Sequence, residues 1–492
     1  MRVDELHLGK PADGEALVTK ARRLSYGALE GEVAAASAAL RAKGLQPGDR
    51  ACVWAPKTCE AVVSLFAIMR AGGIAIPINP ALKAAQAAHI LSDSGARLLL
   101  GNRARVESVG TDAVVIPFEE EWDGLMRIAR GVSVTRKAGD LAMILYTSGS
   151  TGRPKGVMLS HANLCLGAES VASYLETGSD DRTLGVLPIS FDYGLNQILT
   201  AFRQGGTAVL LDYLFPRDVV KWVREERITQ LPCVPPLWMQ LDREDWGDSG
   251  DTLRTLTNTG GHMPERLTRA FAKRFPQARI FLMYGLTEAF RSAYLVPELA
   301  LEKPDSIGGA IPNAELFVLR PDGSEADADE VGELVHCGPL VAQGYWQDRE
   351  RTDARFRPAP AFSRYDGRAV WSGDRMRRGA DGLLYFEARA DDMIKTSGNR
   401  VSPGEIEEAA QATGMVREAA AFGVKDERVG QAILLFAVMS DDTDEAGFRR
   451  AMASSLPTFM QPQHLSWKDS LPRSPNGKID RTALREEAKT YE

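Results

Sequence analysis

Glycines, hydroxyl residues and a lysine are concentrated in residues 146–156, which read YTSGSTGRPKG and follow an apolar run. Glycines permit tight turns and let the backbone approach an anion, while hydroxyl and ammonium groups add donors and positive charge. The segment therefore predicts a loop that holds a polyphosphate, with a flexible surface loop as the ordinary alternative. The residues that would supply these groups are Thr147, Ser148, Gly149, Ser150, Thr151, Gly152 and Lys155.

The loop differs from the P-loop of kinases and ATPases. In the P-loop the lysine is followed by serine or threonine, whose hydroxyl ligates magnesium. Here Lys155 follows Pro154 and precedes Gly156. The missing hydroxyl disfavours a P-loop kinase or ATPase.

Six further short motifs follow the loop in a fixed order: Gly260-Gly261, YGLTE at 284–288, SGD at 372–374, RAD at 389–391, SGNR at 397–400 and PNGK at 475–478. Together with the loop they resemble the adenylate-forming ligases, which comprise acyl-CoA synthetases, the adenylation domains of nonribosomal peptide synthesis and beetle luciferases. The resemblance covers nearly the whole chain. It implies two half-reactions: a carboxylate and ATP form acyl-AMP and pyrophosphate, and a thiol then displaces AMP to give a thioester.

The resemblance also implies a role for each motif. Residues 147–156 would hold the β- and γ-phosphates, Glu288 would bind Mg²⁺ as an oxygen ligand, and Thr287 would contact the α-phosphate. Taken alone, each residue has an ordinary structural explanation, so the order of the motifs carries the assignment. The residues implied to hold the nucleoside are Gly260, Gly261, Tyr284 and Gly285 around the base, and Asp374 and Arg389 at the ribose.

Lys478 lies in a loop rich in proline and glycine near the C-terminus. By resemblance it reaches the reacting carboxylate and the α-phosphate, where a compact cation stabilises the developing negative charge. Asp391 matches the hinge about which a small domain rotates between the half-reactions. In the second half-reaction Ser397 and Gly398 would line the tunnel for pantetheine.

The pair Phe191-Asp192 is the place to look for recognition of the acid. In the amino-acid-activating branch this aspartate pairs with the substrate ammonium, and a buried carboxylate needs such a partner. Capping of a helix is the structural alternative for Asp192. Residues 281–294, FLMYGLTEAFRSAY, resemble a bacterial group of stand-alone ligases that includes prolyl and acyl activators.

The substrate prediction is therefore a small, proline-like amino acid loaded onto a phosphopantetheinyl carrier protein. An acyl-CoA ligase that transfers a non-amino acid to CoA is the second hypothesis. A catalytically degenerate nucleotide-binding interaction protein is a third, from a different functional class. Intact Lys155, Glu288, Asp374 and Lys478 argue against the third.

Composition narrows the partners and the compartment. The 492 residues include 59 Lys+Arg and 66 Asp+Glu, a formal net charge of −7, so no basic field favours nucleic acid or an anionic membrane. Five cysteines without CxxC spacing are typical of a reducing compartment, and no apolar run is long enough to span a bilayer. With a charged N-terminal segment, this predicts a cytoplasmic location.

The elements that position these motifs are predicted from periodicity. Short aliphatic runs, for example 51–54, 74–78, 142–146, 208–211 and 279–284, alternate with amphipathic stretches such as 26–43. This pattern is typical of α/β folds with parallel sheets covered by helices. We predict a large AMP-binding domain over 1–388, a hinge at 389–392, and a small mobile α+β domain over 393–492.

Overall fold

Strands and helices alternate along most of the chain. The computed structural model describes residues 1–127, 134–147, 154–389, 393–440, 444–472 and 479–492. None of the helices in these residues is both long and apolar enough to cross a bilayer. The described α-helices are α1 Tyr26–Ala42, α2 Cys59–Arg70, α3 Ala84–Ser94, α4 Arg103–Val106, α5 Phe118–Met126, α6 His161–Leu175, α7 Asp192–Gln204, α8 Pro216–Glu225, α9 Pro235–Leu241, α10 Glu265–Arg274, α11 Arg349–Arg355, α12 Pro403–Ala412, α13 Glu445–Ser455 and α14 Arg481–Ala488.

The strands form three sheets. In chain order the described strands are β1 Glu15–Val18, β2 Arg23–Ser25, β3 Arg50–Trp54, β4 Ile74–Ile78, β5 Leu98–Gly101, β6 Val114–Pro117, β7 Leu141–Thr147, β8 Lys155–Ser160, β9 Arg182–Gly185, β10 Thr207–Leu210, β11 Gln230–Cys233, β12 Thr255–Asn258, β13 Arg279–Tyr284, β14 Ala293–Leu295, β15 Ser306–Ala310, β16 Glu315–Leu319, β17 Val331–Cys337, β18 Gly344–Tyr345, β19 Phe356–Pro358, β20 Arg368–Arg378, β21 Leu384–Arg389, β22 Ile394–Thr396, β23 Asn399–Val401, β24 Val416–Asp426, β25 Gly430–Met439 and β26 His464–Trp467.

The first sheet has the strand order β18-β8-β7-β4-β3-β5-β6. Strands β3 to β6 pair in parallel, as predicted for buried aliphatic runs separated by helices, and β7 joins β4 in parallel. Strand β8 then returns antiparallel to β7, with Thr147 opposite Lys155. The two ends of the glycine-rich loop are therefore fixed on neighbouring strands.

The second sheet is larger and mixed. Its order is β16-β17-β20-β21-β15-β14-β13-β12-β11-β9-β10-β1-β2, with β19 beside β20. Strands β9 to β13 and β1 pair in parallel, whereas β14 to β17 and β19 to β21 pair antiparallel. The antiparallel half extends the predicted architecture: short turns such as Asp381-Gly382 connect its strands, so no crossover helix is needed. Strands β13 and β20 carry two of the predicted nucleotide-binding motifs.

The third sheet belongs to the C-terminal part of the chain. Strands β23, β22, β25 and β24 pair antiparallel, and β26 lies parallel to β25. Helix α12 begins at Pro403, since proline is favoured in a first turn. One face of the sheet packs on Ile406 and Phe448, and the other packs on Leu484. This is the small C-terminal α+β domain, while the hinge predicted at 389–392 falls mostly outside the described residues.

All five cysteines are buried and free of disulfide bonds. Burial raises the pKa of the Cys52 thiol to about 12 and that of Cys59 to about 11. A thiol with such a pKa is almost entirely protonated at neutral pH, and the thiolate is the reactive form. Burial therefore disfavours Cys52 and Cys59 as nucleophiles.

Candidate active site

Lys155 and Glu288 form the centre of the site. Lys155 is the first residue of β8, and Glu288 lies in the short 3₁₀ helix Thr287–Ala289 that follows β13. The Lys155 Nζ donates a hydrogen bond to Glu288 Oε1 at 3.0 Å and one to the Tyr345 hydroxyl at 2.7 Å. Tyr345 in turn donates to the same Glu288 oxygen at 2.7 Å. The glycine-rich loop and the YGLTE motif, far apart in sequence, are thus in direct contact.

Glu288 is buried yet held as a carboxylate. Burial alone would raise its pKa, but the positive charges of Lys155, Arg355 and Arg400 bring the pKa well below the usual range. Arg400 belongs to β23, so the C-terminal domain contributes charge to this centre. An ionised carboxylate among cations is a group that a hard metal ion and phosphates can take over.

Tyr284 and Asp374 form a second contact between predicted residues. The Tyr284 hydroxyl donates a hydrogen bond to Asp374 Oδ2, and both side chains are buried. The Asp374 backbone N–H donates to the Ser372 hydroxyl at 3.1 Å. The register of β20 and β21 places Arg389 opposite Asp374. The motifs at 284–288 and 372–374 are therefore in contact, and the backbone of Arg389 lies on the strand next to Asp374.

A cavity of about 1050 Å³ connects the two parts of the chain. Its walls include Gly260, Gly261, Tyr284 and Gly285 from the large domain, and Gly398 from the small one. The paired glycines and the SGNR motif therefore share one space. They lie in the region where the resemblance places the base and the pantetheine.

Gly398 is in direct contact with the large domain. Its φ is +77°, and a Cβ at this position would lie 2.8 Å from Val234 Cγ2. Val234 also packs beside Gly260, whose Cβ would lie 3.3 Å from Val234 Cγ1. A side chain at residue 398 would clash with Val234 unless one of the two segments shifts.

Asp192 has a partner that is not evident from the sequence. It is the first residue of α7, it is 3% exposed, and its Oδ1 accepts a hydrogen bond from the Tyr193 backbone N–H at 2.7 Å. The Arg291 Nη1 lies 3.6 Å from Asp192 Oδ2, and Arg291 is only 2% exposed. Phe191 is half-buried beside it, at the N-cap position of α7. The predicted acid-recognition residue therefore already has one cation beside it.

Several predicted residues lie outside the described part of the chain: Ser148, Gly149, Ser150, Thr151, Gly152, Asp391 and Lys478. Their roles stay predictions. Thr147 and Lys155 mark the two ends of the phosphate loop, and Ser397 precedes Gly398 with a φ of +51°.

Tyr345 and Arg291 are site residues that the motifs alone did not reveal. Tyr345 stands in a GYW segment, where an aromatic residue is more often part of the core. Arg291 lies three residues after Glu288, inside the stretch 281–294, and that proximity was the available signal. The contact of Tyr345 with Lys155 depends on the pairing of β18 with β8, which short-range patterns do not predict.

Comparison with known proteins gives the family. The family model described as AMP-binding enzyme matches residues 5–346, and the model described as AMP-binding enzyme C-terminal domain matches residues 405–478. An L-proline--[L-prolyl-carrier protein] ligase from Pseudomonas fluorescens is 32% identical over 493 residues, and the match covers 95% of each chain. Gramicidin S synthase 2 from Brevibacillus brevis is 27% identical over 98% of this chain, which spans 11% of that much longer protein.

A solved structure shows the same fold. The o-succinylbenzoate CoA synthetase from Bacillus subtilis, a double mutant bound with its product analogue, superposes with a TM-score of 0.87. It is 24% identical, and the match covers 98% of each chain. With two family models that together span most of the sequence, the chain belongs to the AMP-binding enzyme family, the adenylate-forming ligases that its ordered motifs resemble.

Proposed function

We propose that the protein activates a carboxylic acid with ATP to form acyl-AMP and pyrophosphate, and then transfers the acyl group to a pantetheine thiol. The observation that carries this proposal is the contact of Lys155 and Tyr345 with Glu288. It joins the loop suited to a polyphosphate to the carboxylate suited to a metal ion. Tyr284, four residues before Glu288, donates a hydrogen bond to Asp374, a carboxylate suited to accept hydrogen bonds from a ribose.

The first half-reaction brings two anions together at the α-phosphorus. Its catalysis therefore depends on positioning, cations and directed donors. We assign Lys155 to the outer phosphates, and Thr287, beside Glu288 in the 3₁₀ helix, to the α-phosphate. Lys478 is proposed to complete the site by approaching the reacting carboxylate.

The residues present fit Mg²⁺. No cluster of three metal-ligating side chains occurs in the described ranges, so Glu288 would be the principal protein ligand there. Magnesium is commonly bound by one or two carboxylates together with substrate phosphates and water. The ion would supply positive charge to the phosphates of ATP. Lys155, now bonded to Glu288, would then be released to bind those phosphates.

We propose that the described arrangement of the two domains is the one that carries out the second half-reaction, the transfer of the acyl group to the thiol. Gly398 packs on Val234 and lines the cavity, which leaves room for a thin substrate beside the paired glycines. The small domain also docks through Glu405, whose Oε1 accepts a hydrogen bond from Gln86 Nε2 at 3.0 Å. In this arrangement Arg400 lies close enough to Glu288 to lower its pKa.

The first candidate for the substrate is a small amino acid, proline-like in size, and the first candidate for the acceptor is a carrier protein. The buried Asp192 at the start of α7 supports an amino acid as the substrate. The similarity to the proline-carrier ligase supports both the amino acid substrate and the carrier protein acceptor. An acyl-CoA ligase is the second candidate: Lys425, Arg485 and Lys489 line the cavity on the small-domain side and suit the phosphates of CoA. We also propose that the protein acts in the reducing environment of the cytoplasm.

Two coupled assays test the proposal. Pyrophosphate release across a panel of acids measures the first half-reaction, and thioester formation with CoA or with a phosphopantetheinyl carrier measures the second. We expect acid-dependent release of pyrophosphate and transfer to one of the two thiols. If no acid stimulates pyrophosphate release, the chain is a nucleotide-binding interaction protein and the proposal is wrong.

A further inference from the structure

Asp93, near the end of α3, is hydrogen-bonded to two aromatic residues that lie beside the contact of Lys155 with Tyr345. Its side-chain Oδ2 accepts from the Tyr146 hydroxyl at 2.5 Å, and its backbone carbonyl accepts from the Trp346 indole N–H at 3.1 Å. Tyr146 opens the glycine-rich loop, and Trp346 directly follows Tyr345. One residue of α3 therefore holds both sides of the centre described above.

The two aromatic residues meet at Gly156, the residue after Lys155. The register of β7 and β8 places Tyr146 opposite Gly156, and the Trp346 backbone N–H donates to the Gly156 carbonyl at 2.8 Å. A Cβ at Gly156 would lie 3.2 Å from Tyr146 Cζ and 3.3 Å from Trp346 Cβ. Both side chains therefore close on the backbone beside Lys155, and a glycine leaves them the room to do so.

The end of α3 is itself anchored to the first sheet. Arg50, the first residue of β3, donates through Nε to the Ser94 carbonyl at 2.7 Å and through Nη2 to the Gly95 carbonyl at 2.8 Å. Its Cζ also lies 5.4 Å from the centroid of the Trp346 ring. These bonds use carbonyl groups that a helix end leaves without intrahelical partners. Asp93 is therefore attached to a fixed support.

The bond between Tyr146 and Asp93 keeps its direction. Burial and the neighbouring Asp93 carboxylate raise the pKa of the Tyr146 hydroxyl far above its usual range, so the hydroxyl retains its proton and remains the donor. A hydrogen bond to a carboxylate is shorter and stronger than one between neutral groups. The pair is therefore suited to hold the start of the glycine-rich loop against α3.

We infer that Asp93 is a positioning residue for the ATP-dependent half-reaction, because through Tyr146 and Trp346 it holds Lys155 and Tyr345 where they meet. The inference rests on the proposed function, in which Lys155 binds the outer phosphates of ATP. Acyl-AMP has already lost those phosphates as pyrophosphate. The contribution of Asp93 should therefore be confined to the first half-reaction, whereas a residue that only stabilises the fold would affect both.

The test measures the two half-reactions separately in Asp93→Ala and in Tyr146→Phe, which remove the same hydrogen bond from opposite ends. The acid is the one that gives the fastest pyrophosphate release in the panel of the proposed function. We expect each variant to raise the KM for MgATP about tenfold, because the lost bond has a charged acceptor. The KM for the acid and the rate of thioester formation from supplied acyl-AMP should be unchanged.

Three further variants separate positioning from stability. The double variant Asp93→Ala/Tyr146→Phe should be no more impaired than the more impaired single variant, because both changes remove one bond. Asp93→Asn keeps a side-chain oxygen that can accept from Tyr146 and should recover most of the affinity for MgATP. Asp123→Ala, at an exposed position on α5, is the matched control for loss of an acidic side chain.

An unchanged KM for MgATP in Asp93→Ala would overturn the inference and leave the proposed function intact. Equal losses in both half-reactions, losses that add in the double variant, or no recovery in Asp93→Asn would also overturn it and make Asp93 a residue of general packing. Absence of pyrophosphate release from the unmodified protein with every acid would overturn the proposed function, and the inference with it.

Discussion

Lys155 Nζ lies 3.0 Å from Glu288 Oε1, so the lysine of the glycine-rich loop and the carboxylate assigned to Mg²⁺ neutralise each other in the described arrangement. The Tyr345 hydroxyl contacts both. Arrival of ATP with its metal ion would exchange this internal ion pair for two external ones, from Lys155 to phosphate and from Glu288 to the metal. Before the nucleotide binds, the ion pair compensates the buried charges of Lys155 and Glu288.

Glu288→Gln should lower the rate of acid-dependent pyrophosphate release about 100- to 1000-fold, because loss of one directed charge in a water-poor site has an effect of this order. The remaining activity should require more magnesium. The measurement is the initial rate at increasing Mg²⁺ concentration. Glu302→Gln, at an exposed position, is the control. An unchanged magnesium dependence would contradict the metal-binding role.

Tyr345→Phe should raise the KM for MgATP about tenfold or more while the melting temperature changes little. The substitution removes the hydroxyl that bonds Lys155 and Glu288 and keeps the ring, which packs 5.3 Å from Phe356. Hydrogen bonds to charged groups contribute about 1.5–3 kcal/mol. Tyr365→Phe, away from the cluster, is the matched control. Equal KM values would show that the hydroxyl does not position the ion pair.

Lys478→Ala should abolish adenylation and leave thioester formation from supplied acyl-AMP largely intact, since the resemblance places this cation only in the first half-reaction. The two half-reactions are measured separately, with Lys468→Ala, which breaks a surface ion pair with Glu487, as the control. Equal losses in both half-reactions would refute the assigned role.

Gly398→Ala should have the opposite effect to Lys478→Ala: it should impair thioester formation and spare adenylation. A Cβ at residue 398 would approach Val234 Cγ2 to 2.8 Å, so thiol transfer should fall about tenfold or more while pyrophosphate release is retained. Gly414→Ala is a close control, because Gly414 has a similar φ of +71° and nothing within 4 Å of its Cβ position. If both variants behave alike, backbone strain and not domain contact explains the effect.

Docking of the small domain should weaken as the pH rises. Burial raises the pKa of Glu405 to about 7, Glu408 adds to the rise, and the hydrogen bond from Gln86 opposes it. A carboxyl with a raised pKa binds more protons when docked than when exposed, so docking is favoured at low pH. It should weaken between pH about 4.5 and about 7 and stay constant above that range.

Small-angle X-ray scattering of the protein across this range checks the expectation, with a radius of gyration that increases with pH. Glu405→Gln, which is neutral at every pH, should abolish the dependence and keep the hydrogen bond to Gln86. A pH dependence that persists in Glu405→Gln would assign it to another group.

The elements were predictable where the local pattern was strong. The run 74–78 matches β4, 279–284 matches β13, and the amphipathic stretch 26–43 matches α1 to within one residue. The antiparallel half of the second sheet was harder to predict, because strands of three to eleven residues joined by short turns carry no long apolar run. The domain boundary at 389–392 stays a prediction.

The site was predictable to the extent that motifs name its residues. Tyr284 and Asp374 are ninety positions apart in the chain, and three strands, β14, β15 and β21, lie between β13 and β20 in the sheet, yet their side chains are hydrogen-bonded. No spacing rule gives that pairing. The resemblance predicted the residues of the motifs. The contacts of Tyr345 with Lys155 and of Arg291 with Asp192 could be found only from the fold, because the partners are distant in sequence.

The burial of all five cysteines has a practical consequence. A maleimide dye added to the folded protein should find almost no native thiolate to modify, so a single cysteine introduced on an exposed helix face would take the label selectively. For the same reason a colorimetric thiol reagent can follow consumption of the acceptor with little background from the enzyme itself.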